Sequence, residues 1–426
     1  MRILIYGLNH APEVVGVGKY TGELVKWLAD QGHAVRIVTA PPYYPEWRVW
    51  PGHCGWHYCT EKNKFGWQTP SARVYRCPLF VPRRQSGLKR LLHLASFAIS
   101  SAPIVLWQSL WWRPDCVVVI TPTLLCAPAG WLAARLIGAA AWLHIQDFEL
   151  DAAFELGLMR SGLLRSIAAC GERWWLRRFD RVSTISSRML ERLSAKGVAE
   201  ERRVLFPNWV NTETICPSEA TNHLRRELNL GDDAVVALYA GNMGEKQGLE
   251  IILEVAAQLS GEPQLQFVLA GEGTARTQLV AKSAGLPNVR FLPLQPPERL
   301  NELLNLGQIH LLTQRAEIAD FVMPSKLTGI LAVGGAVIAT ARPGTELAQV
   351  LERAGGRVCP PGDAATMATQ IVMLLRTPEV RRAMSVKARQ YALAHFSHDK
   401  ILADFESELR EIYNDRTAGV PPALGS

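Results

Sequence analysis

The feature that most constrains this chain is a rhythm, in which a short apolar run ends in glycine, a helical segment follows, and the pair recurs. Ile3-Leu4-Ile5-Tyr6 runs into Gly7 and reads as a buried strand. A loop from Leu8 to Val17 follows, in which Gly16-Val17-Gly18 precedes Tyr20, Leu24, Trp27 and Leu28 at helical spacing. Gly32 stops that helix, and Val35 to Thr39 is the next strand. A right-handed crossover makes the two strands of such a βαβ unit parallel. Gly16 and Gly18 lie at the helix N-terminus, where free amides and the helix dipole suit an anion. The loop is too long for the dinucleotide fingerprint and only two glycines align, so a tight turn without a ligand is the competing reading.

The rhythm continues through Val117 to Ile120, Ala139 to Leu143, Val182 to Ser186, and Val204 to Phe206, which ends in Pro207-Asn208. After a polar stretch near 211–232 it restarts. Val235 to Ala240 ends in Gly241-Asn242-Met243-Gly244, Leu249 to Leu259 is helical, and Gln266 to Ala270 ends in Gly271-Glu272-Gly273. His310 to Thr313, Ala336 to Thr340 and Arg357 to Cys359 are later strands. A chain of 426 residues exceeds a single core, which rarely grows beyond about 250–300 residues. The expected fold is α/β, with two doubly wound, Rossmann-like parallel-sheet domains over 1–208 and 209–395. A single polar-faced helix is expected over roughly 379–413. Its end, within 396–426, is expected to pack back toward the first domain before a loose tail from Thr417. Such sheets bind ligands beyond the carboxyl ends of their strands, so a cleft between the two domains is the expected site.

Composition narrows the class. At 48% hydrophobic and 20% charged, the chain is not disordered, collagen-like, a coiled coil or a multi-pass membrane protein. Eight cysteines in this length form no disulfide framework, and Met1 to Tyr6 carries no secretory signal, so a reducing cytoplasm is expected. The net charge of +7 favours an anionic partner. No nucleic-acid recognition motif accompanies that charge, so a nucleotide, a phosphate or an acidic lipid ranks ahead of nucleic acid.

The motifs, taken in order, carry a family likeness. They are Pro12-Glu13 with Gly16 and Gly18, Gly32-His33 with Val35, Ile37 and Thr39, Phe206-Pro207-Asn208, Gly271-Glu272-Gly273, and the Pro324 to Gly334 segment. On these the chain resembles glycosyltransferase family 4, with its GT-B fold of two facing Rossmann-like domains, over nearly its whole length. Further stretches are Gly18 to Glu23, Thr39 to Pro45, Leu143 to Asp147, Gly241 to Glu250 and Pro324 to Thr328. Through these it resembles the fucosyltransferases of colanic-acid-type exopolysaccharide assembly within that family. The resemblance implies a retaining transfer of a sugar, fucose from GDP-fucose, to a lipid-linked oligosaccharide at the inner face of the cytoplasmic membrane. It implies no cofactor beyond the nucleotide-sugar and no metal, because fixed cations and helix N-termini offset the leaving diphosphate.

The same resemblance places the donor on Gly16, Gly18, Asn242, Gly244, Lys246, Gly271, Glu272, Asp320, Pro324, Ser325 and Lys326. It places the acceptor on Lys19, Tyr43, Tyr44, His144 and Asp147, and catalysis on Asp147, His144 and Lys246. Lys246 and Lys326 would face the diphosphate, Gly244 would let backbone approach it, and Asp320 would accept from sugar hydroxyls. Each charged side chain has a plainer alternative as a solvated surface ion. Asp147 would orient or deprotonate the acceptor hydroxyl, or else cap the following helix. Tyr43 and Tyr44, between Pro42 and Pro45, would stack on a sugar or pack into the core. Departures are visible. Asn242 and Gln247 stand where the wider family has Arg and Lys, and the family's two Glu fall at Phe321 and Gly329. Two further readings therefore stay open: another GT-B sugar-nucleotide enzyme such as an epimerase, and a non-catalytic GT-B protein that binds partner enzymes.

Four other segments draw notice. Leu91 to Trp112 has no Asp, Glu, Lys or Arg and is flanked by Arg83, Arg84, Lys89, Arg90 and Arg113. It could span a bilayer, lie in its interface or pack internally. Arg173-Trp174-Trp175 with Arg177-Arg178 suits lipid headgroups. His53-Cys54-Gly55-Trp56-His57-Tyr58-Cys59 has no zinc-finger spacing, and Asp147, Glu149 and Asp151 read as helix-start charges rather than a metal site.

Overall fold

The structure, a computed structural model, describes residues 1–61, 72–82, 87–148, 162–218, 223–315 and 325–418. The chain divides into two units. Met1–Pro207 and the segment from Leu402 form the first, and Asn208–Ile401 forms the second.

The first unit is built on eight strands: β1 Arg2–Gly7, β2 Ala34–Thr39, β3 Cys59–Glu61, β4 Ala72–Arg76, β5 Cys116–Ile120, β6 Ala140–Ile145, β7 Arg181–Thr184 and β8 Arg203–Leu205. Their order is β3-β4-β2-β1-β5-β6-β7-β8, parallel throughout except for the edge strand β3. The order reverses between β1 and β5, where Ile3 lies opposite Cys116 and Gly7 opposite Ile120. Continuous apolar strands follow from this burial, because helices cover both faces of such a sheet. β5 is buried at every residue, as is β6, His144 included. The helix Ala127–Ile137 packs so closely on the sheet that a Cβ at Gly130 would run into the Val119 side chain.

The second unit holds six parallel strands: β9 Val235–Ala240, β10 Leu265–Ala270, β11 Val289–Leu292, β12 Ile309–Leu312, β13 Ala336–Thr340 and β14 Arg357–Cys359. Their order, β11-β10-β9-β12-β13-β14, is the doubly wound order of a Rossmann sheet, with its switch point between β9 and β12. One core packs the helices Glu250–Gln258 and Ala364–Arg376 on one face, around Ile252, Phe267 and Ile371. Another holds Leu327, Leu331 and Val337 against Ala388 and Ala392.

The doubly wound α/β class matches the sequence expectation, and the strand Val235 to Ala240 lies where the apolar run placed it. The single long helix expected over 379–413 is instead two, Pro378–His395 and His398–Ala418. The break has a cause. Val210 donates its amide to the Phe396 carbonyl (2.9 Å) and accepts from His398 (3.0 Å), taking groups that a continuous helix would need. From Leu402 the last helix joins the first unit, where Phe405 stacks on Phe206 with ring centroids 4.3 Å apart. Glu406 accepts from His33 (3.0 Å) and Arg416 pairs with Asp180 (2.6 Å).

Candidate active site

In the second unit the carboxyl ends of β9 and β10 are knitted together through backbone. Met243 N–H donates to the Glu272 carbonyl (2.7 Å) and Ala275 N–H to that of Met243 (2.9 Å). Gly271 sits at φ +143°, and a Cβ there would run into the Gly241 carbonyl, so the position requires glycine. This clamp fixes the Gly241 to Gly244 loop, which then turns through the short helix Glu245–Gln247, with the Gln247 side chain accepting from Gly244 N–H (3.1 Å).

Lys326 reaches into this corner. It opens the helix Lys326–Ala332, and its side chain runs across to β9. The amino group donates to Tyr239 Oη at 2.6 Å and lies 4.3 Å from the centre of the same ring. Tyr239 in turn donates to the Asn242 carbonyl (2.5 Å). A Cβ at Gly241 would meet Lys326 Nζ, so glycine leaves the space that the ammonium fills. Among the described residues no carboxylate partners Lys326. Burial alone pulls its amine down from 10.5 to about 8, so near neutral pH it stays mostly protonated: a half-buried cation short of a counterion.

The other side of the switch point contributes Arg315. Its amide donates to the Lys246 carbonyl (3.1 Å), and its guanidinium lies 3.6 Å from Glu250. Lys246 is exposed on the same loop, and Glu272 is exposed beside Arg276 (3.6 Å). Ser325 is exposed at the helix start and does not cap it. Asp320, Pro324 and Phe321 lie outside the described residues.

In the first unit the loop after β1 is organised by Glu13. Its buried carboxylate accepts from the amides of Tyr43 (3.0 Å) and Tyr44 (2.9 Å) and from the side chain of Asn9 (2.9 Å). Burial raises its pKa against those three bonds and the nearby charge of Arg76. Gly18 lies directly against this carboxylate, where a Cβ would clash with it. Gly16 opens the helix Gly16–Asp30, and Val15 at its cap offers no side-chain acceptor to the first amides. Lys19 is partly exposed and loosely paired with Glu23 (3.9 Å).

The two tyrosines part company. Tyr44 keeps 36% of its surface and borders Gly16. Tyr43 keeps 4%, with its ring against His93 (4.8 Å) and Trp47 (5.7 Å), so it is a core residue and no platform for a sugar. His144 is a core residue as well. It is fully buried between Ser183 Oγ (2.9 Å) and the Gln146 amide (2.9 Å), its ring on Phe206. Burial drops its pKa to about 3, so it is neutral, and both ring nitrogens are taken. It orients Gln146 and cannot act as the acid or base. Asp147 follows on the loop, which Gln146 N–H anchors to Thr121 Oγ1 (3.1 Å). Solvent reaches Asp147, yet the protein crowding around it raises its carboxyl from 3.8 to about 6, with Arg90 acting in the opposite sense.

Tyr239 and Arg315 were not singled out from sequence, and Glu13 was named there only as part of a motif, with no role in the site. Strand order would have found Arg315, since it follows the strand across the switch point from β9. Among the described residues no group of three or more His, Cys, Asp or Glu gathers to hold a metal. In the 53–59 segment Cys54 Sγ pairs with His57 (3.0 Å), while His53 faces Glu61 (3.3 Å).

Comparison with known proteins identifies the family and the fold. Residues 15–209 match the glycosyl transferase 4-like domain and residues 221–391 the glycosyl transferases group 1. The chain is 43% identical to the colanic acid biosynthesis glycosyl transferase WcaI of Escherichia coli K12, over 96% of this chain and all of that one. It is 22% identical to the N-acetyl-alpha-D-glucosaminyl L-malate synthase of Bacillus anthracis, over 97% of this chain and 98% of that one. Among solved structures, sucrose-phosphate synthase of Thermosynechococcus elongatus superposes with a TM-score of 0.74 at 17% identity, covering 97% of this chain and 99% of that one. Anabaena HepE in complex with UDP gives 0.68 at 14%, covering 96% and 100%. The chain therefore belongs to the two-domain GT-B glycosyltransferases of family 4, a 4-like domain followed by a group 1 domain.

Proposed function

We propose that this glycosyltransferase transfers fucose from GDP-fucose, with retention, to a lipid-linked oligosaccharide in colanic-acid-type exopolysaccharide assembly at the inner face of the cytoplasmic membrane. The observation that carries the donor site is the Lys326 ammonium, half-buried beside Tyr239 and Gly241 at the switch point of the second sheet. A cation in that place without a carboxylate partner among the described residues is poised for a diphosphate. It lies beside Asn242, where the wider family has Arg, so it supplies from another element the charge that the loop lacks. With Lys246 and Arg315 it makes a metal unnecessary for charge balance. The colanic-acid setting is supported by the 43% identity to WcaI across both chains. The donor sugar rests on the motif resemblance from Gly18 to Glu23 and Gly241 to Glu250.

In the proposed reaction the bond between the anomeric carbon and the donor phosphate oxygen breaks. The acceptor hydroxyl oxygen bonds that carbon on the same face. Its proton passes to the departing phosphate oxygen, while Asp147 orients the hydroxyl. Nuclear magnetic resonance of the product tests this reading. The donor's anomeric configuration should be kept, and an inverted product overturns the retaining assignment. A second reading draws on Gly329, which stands where the family has Glu. A non-catalytic protein would bind no sugar nucleotide, whereas an epimerase would turn over donor without any acceptor.

A further inference from the structure

The helix Gly87–Trp112 packs Phe97 and Val105 into the core together with several polar side chains, and keeps an apolar row on its outer side. The side facing the fold carries His93, Phe97, Ser101, Val105, Gln108 and Ser109, at spacings of three and four. Its polar members are bonded into the unit: Ser101 to Tyr6 Oη (2.7 Å), Gln108 to Arg36 (2.7 Å), and His93 to the Phe80 carbonyl (2.7 Å). The side facing solvent is apolar along its length, through Leu88, Leu92, Ile99, Trp107, Leu110 and Trp111. Ile99 keeps 74% of its surface and Trp111 80%. At about 1.5 Å per residue the row from Leu88 to Trp111 runs for about 35 Å. A contiguous apolar row of that size on an otherwise well-packed domain marks an interaction face.

We propose that this face lies in the plane of an anionic lipid bilayer and docks the first unit on it. Charge and aromatic content favour a bilayer. Exposed Lys89 and Arg90 begin the helix, exposed Arg113 follows it, and no carboxylate lies between Gly87 and Pro114. Exposed tryptophans among aliphatic residues, with cations at the ends, suit the headgroup boundary. The helix Ala127–Ile137 packs beside it and leaves Leu132 and Leu136 exposed. Arg178 stacks 3.7 Å over the half-exposed Trp174, adding a second basic and aromatic patch to the same unit. Spanning is excluded by the inner side. A transmembrane path would tear Ser101, Gln108 and His93 from their partners and place them in hydrocarbon. The position also makes sense chemically, because the charge of Arg90, in the first turn, reaches Asp147. A lipid-borne acceptor lying on the face would thus start close to the candidate acceptor carboxylate. That last point rests on the proposed function. The docking face does not, since vesicle binding requires neither donor nor acceptor.

The test is co-sedimentation of the purified full chain with vesicles of phosphatidylcholine alone or with about 30 mol% phosphatidylglycerol. Binding to the anionic vesicles is expected, weakened by high salt. The exposed-face variant Ile99→Ser/Trp107→Ser/Trp111→Ser should lose about tenfold or more of it, with circular dichroism and sugar-nucleotide binding unchanged. Lys89→Gln/Arg113→Gln should lose the preference for anionic lipid. Failure to bind either vesicle, or full binding by the triple variant, overturns the proposal. So does a wild-type dimer that becomes a monomer in the triple variant without any vesicle binding, which would assign the face to a second copy.

Discussion

Lys326→Met separates binding from stability at one position. The fall of the Lys326 amine from 10.5 to about 8 corresponds, at about 1.4 kcal/mol per pH unit, to about 3 kcal/mol against the buried cation. The folded value lies below the unfolded one. The fold therefore carries this penalty in full below about pH 8, and the penalty fades as pH rises toward 10.5. Methionine has similar length and no charge, so it removes the penalty. It also loses the bond to Tyr239 and the contact with its ring, each worth about 1 kcal/mol. The net expectation for the ligand-free protein is a gain of about 1–2 kcal/mol in urea unfolding near neutral pH, shrinking near pH 10. Donor binding should move the other way, weakening by about 1.5–3 kcal/mol, or roughly 10- to 150-fold, by calorimetric titration. Wild-type affinity should itself decline as pH rises above about 8, where the ammonium deprotonates. A variant that is less stable near neutral pH and binds donor unchanged would refute the reasoning and make Lys326 a structural residue.

Other positions give independent readings. Asp147→Asn should lower turnover about 10- to 100-fold with donor affinity intact. If the ionised carboxylate acts as proposed, with its pKa raised to about 6, wild-type kcat/KM should fall as pH drops through that value, and the variant should lose that limb. Normal turnover would make Asp147 a structural carboxylate. Lys246→Ala should weaken the donor complex by about 1.5–3 kcal/mol, and an unchanged dissociation constant removes Lys246 from the phosphate site. Glu13→Ala strands the amides of Tyr43 and Tyr44 and the side chain of Asn9, and should destabilise the fold by about 2–4 kcal/mol in urea melts. A change below about 0.5 kcal/mol would show that the Gly16 to Tyr44 region does not depend on it.

Where local pattern decides structure, the sequence was readable. Val235 to Ala240 followed by Gly241 reads directly as a buried parallel strand and its turn, because apolar continuity and glycine punctuation are local properties. The short strands β3 and β4 escaped such reading, since Arg73 and Arg76 break the apolar pattern. The break at Phe396 escaped as well, because its cause is Val210, far away in sequence. The site shows the same divide. Lys326 was visible as a cation, but its partner Tyr239 lies 87 positions away, so the buried pair emerges only with the sheet order. His144 looked catalytic beside Asp147, yet one residue type cannot reveal that Ser183 and Gln146 would claim both of its nitrogens.

The central claim is a cation-held nucleotide-sugar on the second sheet. Its most direct test is calorimetric titration of the wild-type protein with GDP-fucose, GDP-mannose, UDP-glucose and UDP-galactose, each with and without a chelator. Selective binding of GDP-fucose with the same affinity in both conditions is the predicted result. Failure of all four donors to bind, or loss of binding when the chelator is added, would contradict it.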